Sequence, residues 1–96
     1  MQQVELKLNS NGRGYLLIKE NGEQLGQMEL SVIGKQVTVF HTELIPKAEG
    51  KGYAKKLLNE LVSYSRKNNL SVKALCPFVH GQFKRHPEQY ADIIKK

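Results

Sequence analysis

Ile45-Pro46-Lys47-Ala48-Glu49-Gly50-Lys51-Gly52-Tyr53-Ala54 is the stretch on which the reading of this chain turns. Alternating apolar and polar residues precede it, and an amphipathic helical pattern follows it. Pro46 has no N–H to give a neighbouring strand, so pairing ends there. Gly50 and Gly52 then allow backbone conformations that other residues resist. A loop that leaves a strand and enters a helix gathers several N–H groups near the positive end of the helix macrodipole. That arrangement suits a phosphate group.

The glycine pair alone is a weak signal. Lys51 lies between the glycines and no Gly-Lys-Ser/Thr follows, so this is not a P-loop. The third glycine and preceding βαβ unit of a dinucleotide fingerprint are also missing. The context of strand, proline, loop, helix and parallel strand gives the loop its meaning. It sets a helix N-terminus beside a strand end where strand direction changes, which favours pyrophosphate binding over a plain turn.

Toward the N-terminus the chain reads as a four-stranded meander. Val4, Leu6 and Leu8 alternate with polar residues, and Asn11-Gly12 marks a turn. Tyr15-Leu16-Leu17-Ile18 ends at Asn21-Gly22, a type I′ hairpin signal. Met28, Leu30 and Val32 alternate next, and Gly34-Lys35 suits a type II′ turn. In the fourth strand Val37, Val39 and His41 share one face, expected to be the core side, with Thr38, Phe40 and Thr42 on the other.

Toward the C-terminus, Ala54, Leu57, Leu58, Leu61 and Val62 mark the buried face of a helix over about 52–67. Asn68-Asn69 stops it. Leu70 to Leu75 reads as a strand parallel to the fourth, because a crossover helix joins them. Cys76-Pro77 opens a short helix with proline at its first position. His86-Pro87-Glu88 repeats that start, with His86 as cap, for a last helix to about Ile94. The expected fold is α/β (α+β), β-β-β-β-α-β-α-α, with a mostly antiparallel mixed sheet and a parallel, splayed fourth and fifth strand.

The 96 residues suit one domain over 1–96. Apolar residues make up 40% and charged residues 25%, a soluble globular balance. No apolar run approaches the ~20 residues of a membrane span, and the N-terminus carries no signal pattern. With one cysteine and no leader, the cytoplasm is the expected location. The 15 basic residues against 9 acidic ones, net +6, favour anionic partners. They are spread along the chain without aromatic interleaving, which disfavours nucleic acid. One cysteine and three scattered histidines make a metal site unexpected.

Gly50-Lys51-Gly52-Tyr53-Ala54-Lys55-Lys56-Leu57-Leu58 resembles the acetyl-CoA loop and helix of the GNAT superfamily of N-acetyltransferases. Lys47-Ala48-Glu49-Gly50-Lys51-Gly52 matches that pattern at both glycine places, with Lys47 where Gln or Arg is usual. Phe40-His41-Thr42-Glu43, Leu75-Cys76-Pro77-Phe78-Val79 and Arg85-His86-Pro87-Glu88 resemble a short stand-alone subgroup. The likeness covers roughly residues 25–94. This subgroup lacks the two helices that larger members place after their first strand. Those helices help shape the acceptor site, so the acceptor amine is not identified.

The resemblance implies acetyl-CoA (coenzyme A) lodged where the fourth and fifth strands part. The backbone N–H groups of Glu49, Gly50, Lys51, Gly52, Tyr53 and Ala54 would hold the pyrophosphate. Leu44 and Ile45 would pair with the pantetheine, and Lys84 and Arg85 are within reach of the adenine-end phosphate. Cys76 reads either as a small buried hydrophobe or as a functional thiol at a helix N-cap, where thiolates are stabilised. A functional Cys76 attacks the thioester or protonates the departing CoA thiolate, with His80 placed to face it one turn on. Glu43 and His41 are the candidate bases for the acceptor amine. Alternatives are a CoA-binding module without transfer, and a basic nucleic-acid or protein-interaction domain.

Overall fold

The computed structural model of the protein describes residues 2–94. Its sheet contains β1 (Gln2–Leu8), β2 (Arg13–Glu20), β3 (Glu23–Ile33), β4 (Gln36–Leu44) and β5 (Ser71–Ala74), in that spatial order. The first four pair antiparallel, and β5 joins β4 in parallel. A single 3-10 turn (Pro46–Ala48) leads to α1 (Tyr53–Lys67), and α2 (Pro77–Arg85) and α3 (Pro87–Tyr90) follow β5.

The turn residues act as their chemistry dictates. Asn21 (φ 53°) and Gly22 (φ 83°) both occupy the left-handed region, as a type I′ hairpin requires. Helix α1 lies across β2, β3 and β4, and α2 lies over β4 and β5. Leu57, Leu58, Leu61 and Val62 join Ile18, Met28, Leu30, Val37 and Val39 in one apolar cluster. Burying each such side chain stabilises the fold by about 1.5–3 kcal/mol. All three helices therefore share one face of the sheet. The opposite face, with Tyr15, Gln27, Glu29, His41, Glu43 and Lys73, has no helix on it among the described residues.

Two departures from the expected pattern shape the site. In the β3–β4 ladder Glu29 pairs with His41 but Leu30 pairs with Val39, so Phe40 is a one-residue bulge. An extra residue reverses the facing of everything after it. Val37 and Val39 face the helices as expected, but His41 and Glu43 turn to the helix-free face and Thr42 turns to the core side. The Arg13 guanidinium covers the bulged Phe40 ring at 4.3 Å. The second departure is α3, which stops at Tyr90 instead of reaching Ile94. Ile93 is buried, and its carbonyl accepts the Val72 N–H at 2.6 Å. Covering the outer edge of β5 in this way outweighs extending a one-turn helix.

Candidate functional site

The β4–β5 ladder ends at Val39↔Ala74. Leu75 and Cys76 both donate their N–H to the Val39 carbonyl, at 2.9 and 3.0 Å. The chain turns away there, while β4 continues to Leu44. The Ile45 N–H goes back to Leu25 O at 2.9 Å, on the β3 side. Strand alternation then turns the backbone groups of Leu44 and Thr42 outward, along an edge that β5 has left. Beside that edge lies a cleft of about 360 Å³ bordered by Thr42, Glu43, Leu44, Glu49, Ala54 and Phe78.

The glycine loop closes one end of the cleft. Gly50 (φ 77°) and Gly52 (φ 82°) are left-handed, and Gly52 is the N-cap of α1. The first helical bond runs from Lys56 N–H to Gly52 O, at 3.1 Å. Among the described residues, no backbone carbonyl accepts from the N–H groups of Gly50 through Lys55. A Cβ built on either glycine meets nothing within 4 Å, so the space before this row is open. Donor row, open space and helix dipole together fit a pyrophosphate.

Two of the backbone donors expected from the sequence are engaged elsewhere. The Glu49 N–H bonds Pro46 O at 3.2 Å, and Glu49 instead borders the cleft. Ile45 gives its N–H to Leu25, and its carbonyl accepts from Ala48 at 2.9 Å. Tyr53 packs its ring into the core and places its hydroxyl 3.3 Å from a Glu20 carboxylate oxygen. Lys47 pairs with Glu23 at 2.7 Å. These contacts fasten the loop to the turn between β2 and β3. Lys55, not among the expected backbone donors, adds an N–H to the row and ties α1 to α2 through Gln82 at 3.1 Å.

Cys76 is the N-cap of α2 with Pro77 at the first helical position, and its side chain does not cap the helix. It is only 2% exposed. Its Sγ donates to Thr42 Oγ1 at 3.3 Å. His80 is exposed and lines a separate hollow with Lys73, Phe83 and Lys84, so it does not face the cleft. Arg85 is exposed at the end of α2. His41 and Glu43 form a pair on the helix-free face, Nε2 to Oε2 3.6 Å, with side chains 59% and 57% exposed. Gln27 donates to the other Glu43 oxygen at 2.9 Å. Thr42 and Phe78 are the cleft residues that sequence reasoning missed. The one hint in the sequence is Phe40, an aromatic residue on what alternation assigns to the polar face.

No curated protein matches the sequence. Solved structures do. A GCN5-like protein from Staphylococcus aureus is 25% identical, with TM-score 0.68 over 95% of this chain and 87% of that one. The ribosomal-protein-S18-alanine N-acetyltransferase from Escherichia coli is 16% identical, with TM-score 0.63 over 69% of this chain. The PaiA N-acetyltransferase from Thermoplasma acidophilum, in complex with coenzyme A, is 18% identical, with TM-score 0.61 over 81% of this chain. This chain spans 43% and 50% of the length of those two enzymes, and at such identities the likeness is one of fold. The model of the GCN5-related N-acetyl-transferase family matches residues 13–93. With most of its length under that pattern, the chain belongs to the GCN5-related N-acetyl-transferase family.

Proposed function

We propose that the protein is an acetyl-CoA-dependent N-acetyltransferase whose donor substrate lies in the cleft between β4 and α2. The observation that carries this reading is the unpartnered N–H row from Gly50 to Lys55 at the open end of the β4–β5 splay. Hydrogen bonds to a charged pyrophosphate are worth about 1.5–3 kcal/mol each. The outward backbone of Thr42 and Leu44 offers strand-like pairing to the pantetheine amides. The bound donor supplies an acetyl group activated as a thioester.

The acceptor amine approaches from the helix-free face, onto which Glu43, a residue of the cleft border, turns its carboxylate. Glu43 takes the proton that frees the amine for attack. Cys76 is buried behind Thr42, which favours a proton source over a nucleophile that must itself reach the thioester. The second face, bare of helices among the described residues, also favours a second reading, a CoA-binding module with little transfer.

Thermal unfolding with acetyl-CoA tests the reading. At 100 times its Kd the ligand adds about 2.7 kcal/mol, a rise in Tm of roughly 10–20 °C for a chain of this size. An unchanged Tm at millimolar acetyl-CoA rejects it. CoA release with a panel of amines then separates transferase from binding module.

A further inference from the structure

We propose that the Thr42 hydroxyl is a catalytic proton relay, standing between the departing CoA sulfur and the Cys76 thiol. This rests on the transferase reading and names the residue through which Cys76 acts. Three observations converge on Thr42. The bulge at Phe40 turns Thr42, instead of His41 or Glu43, to the inner side of β4. Thr42 borders the cleft, whereas Cys76 is buried and does not. The Cys76 Sγ, free of any capping bond to α2, donates to Thr42 Oγ1 at 3.3 Å. The Thr42 hydroxyl thus joins the buried thiol to a residue of the cleft.

The step balances. The acceptor nitrogen bonds to the acetyl carbon, and the carbon–sulfur bond breaks with its electron pair on the CoA sulfur. That sulfur takes the Thr42 hydroxyl proton while the Thr42 oxygen takes the Cys76 proton. The thiolate left behind sits at the N-terminus of α2, near the positive end of its macrodipole. Cys76 regains its proton by the same route in reverse, from water entering the emptied cleft through the Thr42 hydroxyl. The net transfer runs from one thiol to another, so the relay needs little driving force. His80 supplies no shorter route, because its side chain lines the hollow beside β5. Tyr90, the tyrosine that follows β5, is buried in the core.

The test uses the full chain and four variants: Thr42→Val, Thr42→Ser, Cys76→Ser and Thr42→Val/Cys76→Ser. CoA release is followed with the amine that gives the wild type its highest rate, and acetyl-CoA binding by calorimetry. Thr42→Val keeps the side-chain volume and β-branching and removes the hydroxyl alone. The relay predicts a fall in kcat of about 100-fold, the lower end for general acid catalysis, with acetyl-CoA binding unchanged. Thr42→Ser recovers most of it. The double variant falls no further than the worse single one, because two groups in series cannot be lost twice. An active wild type with Thr42→Val at full kcat, or with Thr42→Ser no better than Thr42→Val, overturns the relay and leaves the transferase. A wild type that binds acetyl-CoA but releases no CoA with any amine overturns transfer and relay together. Failure to bind acetyl-CoA overturns the donor site itself.

Discussion

Replacing Gly52 by alanine, with Gly22 as its control, separates a glycine kept for a ligand from one kept for a turn. The two are conformational twins. Gly52 has φ 82° and Gly22 has φ 83°, and a Cβ on either meets nothing within 4 Å. Left-handed geometry costs an alanine about 1–2 kcal/mol. Both variants should therefore lose Tm by roughly 5–15 °C without ligand. Their ligand responses should differ. Gly52→Ala projects a methyl group into the space before the N–H row, while Gly22 lies in the β2–β3 turn. Losing one charge-assisted hydrogen bond weakens binding about 10–100-fold. At an acetyl-CoA concentration 100 times the wild-type Kd, protection then falls from about 2.7 to roughly 0.4–1.4 kcal/mol. Gly22→Ala should keep the full value. Scanning fluorimetry with and without acetyl-CoA reads both quantities at once. Equal ligand protection in the two variants would refute a pyrophosphate at this loop, whatever the loss of stability.

Gly26→Ala places a methyl group 2.8 Å from the Glu43 carbonyl oxygen and closer still to the Leu44 side chain, so β3 and β4 must part. It should destabilise by about 1–3 kcal/mol, read as a lower urea midpoint; an unchanged midpoint would contradict the packing described. Asp92 carries a carboxyl held below its ordinary value near 3.8, chiefly by the hydrogen bond from Arg66. Its contribution is present above that ordinary value and is lost as pH falls through the lowered one. Asp92→Asn should thus be less stable than wild type at neutral pH and equal to it in strong acid. Chemical denaturation at both pH values checks this, and a difference that grows in acid would reverse the sign.

The fold was legible because local signals and long-range pattern agree. Asn21-Gly22 and Gly34-Lys35 set hairpins, the leucines of α1 sit at helical spacing, and a crossover helix makes β5 parallel. The open row of N–H groups at the glycine loop was legible for a related reason: left-handed glycines before a helix leave N–H groups without carbonyl partners. The facing of β4 beyond Val39 was not legible. Alternation carries no mark for an unpaired residue, so reading Val37, Val39, His41 as one face was correct only as far as Phe40. The fates of the Ile45 and Glu49 N–H groups were hidden as well, because they depend on Leu25, twenty residues away in sequence, and on a 3-10 turn. The end of α3 was set by the need of β5 for an edge partner, which no helix propensity encodes.

The contacts Tyr53–Glu20 and Lys47–Glu23 have a consequence in time and disorder. An exposed pair such as Lys47–Glu23 adds little to global stability, about 0–1 kcal/mol. Yet it anchors a glycine-rich segment that would otherwise sample many conformations. Freedom lost during folding need not be lost again on ligand capture, so less of the binding energy goes into ordering the loop. In the proposed donor site, side chains at a hairpin tip some thirty residues upstream would thereby set how long a pyrophosphate stays, without touching it.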